Sequence, residues 1–245
     1  MPMWMLMVCM HDAAGDVLWA MWGHSSPVCV HLYLSSYLML CCAMCTGLQP
    51  SAQSPMALQL LSAHRLIADL IDAWVEEHGE WDDLAWDPEL TAERLFAWLC
   101  WGRPAFEIGA PEKRAALMRS VARQARLLML AQSELSDRNL GSIKAGAALI
   151  LAGAAGFPEA ERLAEQGEEM LIEACAKQFF PDGGHLSRAP ESLAEALCDM
   201  VTALEAFEEV TPLITETLPK LQHAAHVALG RWRAWLLSGW IRRLG

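Results

Sequence analysis

The stretch Lys144–Ala155, KAGAALILAGAA, carries a single charged side chain and is otherwise apolar on every side. A surface helix needs a polar face, so a segment of this kind belongs at the centre of a helical array. The chain on either side also reads as helix. Leu60, His64, Ile67, Ile71, Trp74 and His78 recur at three- and four-residue steps, and Gly79 follows as a stop. Asp87-Pro88-Glu89 supplies an N-cap carboxylate, a proline at the first helical position and an acid in the first turn. Leu95, Trp98 and Leu99 continue the buried face of that helix, and Gly102 with Pro104 interrupts it. Pro111-Glu112 opens a further helix that turns Leu117, Val121, Leu128 and Ala131 inward.

The polar joint Ser136–Asn139 precedes the central run, and Gly156-Phe157-Pro158-Glu159 closes it. Leu163, Met170, Leu171, Ala174 and Cys175 then form the stripe of an acid-backed helix ending near Phe179. Pro190-Glu191 begins another, with Leu193, Leu197, Met200, Val201, Leu204 and Phe207 inward, and Pro212 starts a last one. No segment alternates with period two. The fold class is therefore all-α, an array of antiparallel helix pairs.

Composition divides the chain into three parts. Residues 1–55 contain no Lys or Arg and hold five of the eight Cys and eight of the thirteen Met. Residues 56–228 form the helical body, and residues 229–245 are rich in Trp and Arg. The net charge is -12 with 54% hydrophobic residues, and no basic stripe interleaved with aromatics is present. That balance excludes a nucleic-acid-binding surface and disfavours long-range attraction of polyanions.

The first positive side chain is Arg65, so the start lacks the charged n-region of a secretory signal, which leaves cytoplasm and periplasm both open. Val28–Cys45 is an apolar run of 18 residues, the lower limit for a membrane span, but it lacks flanking Lys or Arg; a poorly structured extension is the reading preferred over a span. Cys41, Cys42 and Cys45 lie close together with only His31 as a fourth candidate ligand, at no defined spacing. They read as incidental thiols rather than a metal site. Neither metal nor cofactor is called for.

Phe180-Pro-Asp-Gly-Gly-His-Leu-Ser-Arg-Ala-Pro190 resembles a turn of heparinase II/III-like proteins, in which PDGGH is followed by an Arg and a helix-starting Pro. Leu140–Gly153, with Lys144-Ala145 and Leu151-Ala-Gly153, resembles the helix before that turn. Phe96-Ala-Trp98-Leu and the Ala-Arg-Gln-Ala-Arg run at 122–126 are similar to the bacterial branch, and the likeness spans about residues 57–228. The resemblance implies an incomplete (α/α) toroid whose partner β-sandwich domain is missing from this chain. It further implies a polysaccharide lyase acting by β-elimination on uronate-containing polysaccharide such as a glycosaminoglycan. Such chemistry neutralises the uronate carboxylate, removes the neighbouring proton with a base and protonates the leaving oxygen.

In active members of that family a Tyr after the turn serves as base and acid, and an Asn-His pair before the Lys-Ala helix neutralises the carboxylate. Those positions fall here at Ser192, with Leu193 in place of the following His, and at Asp137 and Arg138. Both tyrosines of the chain, Tyr33 and Tyr37, lie in the extension. Ser192 and His185 remain as catalytic candidates, and Asp182, His185, Arg188, Asp137 and Arg138 as sugar contacts. His185 is either a base or a buttress of the turn, with the buttress preferred. Arg188 either binds a carboxylate or pairs with Asp182 or Glu191. An inactive fragment is the expectation, with a non-catalytic helical module for carbohydrate or other partners as the alternative.

The tail is unlike the family's continuation. Read one base later, every TGG codon yields glycine, so Trp232, Trp235 and Trp240 become Gly and the tail takes a glycine-rich form similar to that continuation. A change of reading frame near residues 223–230 is the expectation, with a genuine basic amphipathic end lying against membrane or a partner as the alternative, and the flanking DNA decides between them.

Overall fold

The computed structural model describes residues 55–135, 140–210, 223 and 226–231. Among them there is no strand, and the chain is all-α. Seven α-helices follow in order: α1 (Pro55–His78), α2 (Pro88–Trp101), α3 (Arg103–Ile108), α4 (Pro111–Leu130), α5 (Gly141–Ala154), α6 (Ala160–Gln178) and α7 (Pro190–Val210). A short helical stretch covers 226–231. The extension, the joint at 136–139 and the tail from 232 onward lie outside the described residues, as does the helix expected after Pro212.

The described residues divide into two compact units, those within 55–85 and 100–121 and those within 86–99 and 122–231. In the first, α1 lies against α3. Ile71 and Trp74 are buried, as the periodicity predicted, and Ala68, Ala105, Leu117 and Val121 are buried with them.

The second unit is built round α5, which contacts both α6 and α7. Eleven of its fourteen residues are buried, so the apolar run does lie at a centre. Glycine sets how closely α5 and α6 approach. A Cβ on Gly146 would come within 2.8 Å of the Gly167 carbonyl oxygen, and one on Gly167 within 2.6 Å of the Gly146 carbonyl oxygen. Farther along, a Cβ on Gly153 would meet the Ala160 carbonyl oxygen at 2.7 Å. Residue numbers rise on one helix as they fall on the other, so the pair is antiparallel.

Capping follows the local chemistry. The Asp87 carboxylate accepts from the N–H groups of Glu89 (3.0 Å) and Leu90 (3.1 Å), which starts α2 where the sequence placed it. On α6 the predicted stripe of Leu163, Met170, Leu171, Ala174 and Cys175 is buried, while Glu161, Glu165, Glu169 and Glu173 face outward. On α7, Leu193, Leu197 and Met200 are buried. Leu99 on α2, and Val201 and Leu204 on α7, were expected inward and are only half-buried, because they sit at the edges of their stripes.

Candidate functional site

The glycine-bearing corner joins α6 to α7. Pro181 and Asp182 occupy the middle of a β-turn closed by the Gly183 N–H donating to the Phe180 carbonyl at 2.8 Å. The Phe180 N–H donates to the Gly184 carbonyl (2.8 Å), and the Leu186 N–H to the Gln178 carbonyl (2.7 Å). Asp182 Oδ1 accepts the Gly184 N–H at 3.0 Å. Gly183 has φ +79°, and a Cβ there would stand 2.5 Å from the Val227 carbonyl oxygen, so both conformation and space call for glycine.

His185 is 2% exposed at the base of this corner. Its Nδ1 lies 2.8 Å from Ser187 Oγ and accepts the Ser187 backbone N–H at 3.2 Å. A backbone N–H can only donate, so Nδ1 is unprotonated and the ring proton sits on Nε2. Nε2 then donates to Gln178 Oε1 at 3.1 Å, and Gln178 Nε2 donates to Ser142 Oγ at 2.8 Å. This chain of bonds ties the corner to the first turn of α5. Burial lowers the His185 pKa, which favours the same neutral form. With both ring nitrogens engaged and the Phe179 ring edge-on at 5.5 Å, His185 has the geometry of a buttress.

The other predicted residues are placed as follows. Asp182 is exposed, and its Oδ2 lies 3.6 Å from an Arg231 guanidinium nitrogen. Arg188 is exposed with φ 56°. Among the described residues its guanidinium has no ion-pair partner, so the expected pairing with Asp182 or Glu191 is not made. Ser192 is half-buried in the first turn of α7, whereas the hydroxyl on the His185 ring is that of Ser187. Asp137 and Arg138 lie outside the described residues. The structure thus brings Asp182, His185 and Arg188 to one corner, with the imidazole committed to holding it together.

The sequence reading treated Lys144 as an isolated polar interruption of α5 and missed the charge cluster round it. Lys144 is 3% exposed, and its Nζ donates to Glu93 Oε2 of α2 at 3.0 Å and, in a short contact, to Glu195 Oε1 of α7. Asp199 Oδ2, one turn further along α7, lies 4.0 Å away and has no hydrogen-bond partner among the described residues. Burial opposes the Lys144 charge, but the carboxylates of Asp199, Glu93 and Glu195 outweigh it and hold the pKa above the ordinary lysine value. For Asp199 burial is the largest influence, and its pKa is pushed up to about 7 despite the attraction of Lys144. One signal was available: a lone lysine in an apolar helix needs a carboxylate partner, and Glu195 and Asp199 share a face of α7 at i, i+4.

A second buried cation follows Glu93 in the sequence. Arg94 donates from Nε to Gln124 Oε1 (2.9 Å) and from a terminal nitrogen to Thr91 Oγ1 (3.0 Å). Burial lowers its pKa to about 9, so it keeps its charge at neutral pH. Among the described residues no group of His, Cys, Asp and Glu is placed to hold a metal ion, and no helix is long and apolar enough to cross a membrane. Cys41, Cys42, Cys45, His31 and the Val28–Cys45 run lie outside those residues.

No family model matches the chain, and no solved structure matches it. The chain is similar to a curated protein, FtsZ-localized protein C of Caulobacter vibrioides (strain NA1000 / CB15N), with 31% identity over 139 residues. The match covers 56% of this chain and 23% of that protein, so the chain spans less than a quarter of its relative's length. These findings correct the heparinase II/III-like resemblance, and with it the expectation of a polysaccharide lyase working by β-elimination, and they give the alternative of a non-catalytic carbohydrate-binding or interaction module no clear support. There is a physical reason why the motif misled. The PDGGH stretch contains what this tight connection itself requires: a proline for the turn, an Asx cap, a glycine at positive φ and a histidine that buttresses the loop. None of these requirements depends on lyase chemistry.

Proposed function

We propose that this chain takes part in bacterial cell division in company with FtsZ, as a helical portion of a protein similar to FtsZ-localized protein C. The observation that carries the reading is the 139-residue similarity at 31% identity. The longest described helix has 24 residues, so a likeness of that length extends over several helices and their connections. A shared helical period alone would not sustain it.

The test is localisation together with direct association. A fluorescent fusion of the full chain, expressed in Caulobacter vibrioides, is expected to collect where FtsZ collects and to disperse when FtsZ is depleted. The purified chain is expected to sediment with FtsZ polymers and to stay in the supernatant without them. Fluorescence indifferent to FtsZ depletion, with no co-sedimentation, overturns the reading.

A further inference from the structure

The Lys144 cluster holds more negative charge than its cation balances. Glu93 from α2, Lys144 from α5, and Glu195 and Asp199 from α7 are the charged groups that act on one another there. With every carboxyl ionised, three negative charges share one ammonium, and the site carries two uncompensated charges. The two glutamates tolerate this because their side chains are 25% and 29% exposed and stay partly hydrated. Asp199 is 2% exposed, is 4.0 Å from Lys144 Nζ, and has an oxygen that receives no hydrogen bond from the described residues. An ionised carboxylate in that position is the costliest of the three to keep.

We propose that Asp199 is a proton-operated latch: protonated, it lets α7 seat against α5, and ionised, it loosens that seating because its charge can be hydrated only by displacing α7. The inference is independent of any partner of the chain. It rests on the unequal burial of the three carboxylates and on the missing donor at Asp199. The pKa of Asp199, raised to about 7 chiefly by burial, places the change near neutrality. The sign follows from that direction. A folded pKa above the ordinary aspartate value of 3.8 means that the folded state holds the proton more tightly. The stability contributed is therefore full below about pH 4 and is lost as pH rises through about 7.

The experiment compares the full chain with Asp199→Asn, a neutral side chain of the same shape. Urea unfolding and amide hydrogen exchange are followed from pH 5 to 8.5, and the Asp199 carboxyl is titrated by carbon NMR in the unmutated chain. The unfolding constant of the unmutated chain is expected to rise from pH 5 to about 7 by up to about tenfold per pH unit relative to the variant, the limit for a single proton, and to level off above that. Protection of α7 amides should fall at high pH in the unmutated chain alone, and the variant should be the more stable of the two at pH 8.5. A carboxyl that titrates in the ordinary aspartate range, or a variant with the same pH dependence as the unmutated chain, overturns the proposal. Should Asp199→Asn fail to fold, the carboxyl titration decides alone.

Discussion

Gly146 and Gly167 face each other across the α5–α6 crossing, each set so that a Cβ on it would meet the other's carbonyl oxygen within 3 Å. Alanine normally stabilises a helix relative to glycine by about 1 kcal/mol. Here the obstructing atoms are backbone, which cannot swing aside, so Gly146→Ala and Gly167→Ala are each expected to destabilise the protein by about 1–3 kcal/mol. The double variant should lose less than the sum, because the first methyl already separates the helices. Urea unfolding of the three variants measures this, and stabilisation by either single change contradicts it.

Gly183→Ala places a side chain at φ +79° and against the Val227 carbonyl. Positive φ and steric conflict act together, and a loss of about 2–4 kcal/mol is expected. Proteolysis within 179–188 should quicken in parallel. A thermal midpoint equal to that of the unmutated protein would show that the corner is not held against residue 227.

His185 gives a pH dependence opposite in sign to that of Asp199. Its folded pKa lies below the ordinary 6.5, so the stability it contributes is present above 6.5 and is lost as pH falls from there toward the lowered folded value. His185→Gln removes a buried hydrogen-bonding ring and is expected to cost about 1–3 kcal/mol at pH 7.5. The gap between variant and unmutated protein should narrow at pH 5. A constant gap contradicts the neutral-ring assignment.

Lys144→Met leaves three carboxylates round a hydrocarbon. Breaking a buried pair from one side is expected to cost about 3–5 kcal/mol near neutral pH. The penalty should shrink on acidification as Asp199 takes up its proton. A penalty that does not change with pH would mean that Lys144 acts through its apolar stem alone.

Cys175 is buried, with its sulfur 3.3 Å from Met200 Sδ, and burial pushes its pKa up to about 12. At pH 8 it is expected to resist alkylation in the folded chain and to react once urea is added, while the half-buried Cys100 and Cys198 react sooner. Peptide mass mapping of each cysteine gives the order.

The sequence and the structure agree where one dominant local cause acts. The apolar run 144–155 had nowhere to go but inside, and Asp87-Pro88-Glu89 starts a helix by its own hydrogen bonds. The inward face of α4 was legible for the same reason, since Leu117, Val121 and Leu128 repeat on one helical stripe. Contacts between distant segments were not legible. Nothing in the order of residues says that Gly146 meets Gly167, or that Glu93 reaches Lys144 across 51 positions. At the corner the turn itself was readable, but the role of His185 depended on Gln178 and Ser142, which local pattern does not connect to it. The family resemblance failed at the same place, because a turn motif states what a loop needs and not what the protein does.

Of the four charged positions 93, 144, 195 and 199, the lysine is the one on which the other three depend. Replacing Lys144 alone strands the carboxylates round it, whereas exchanging all four together for hydrocarbon side chains of similar volume would remove the electrostatic demand altogether. Across related sequences Lys144 is therefore expected to be lost only together with its acids, whereas position 199 can carry a neutral residue while Lys144, Glu93 and Glu195 remain.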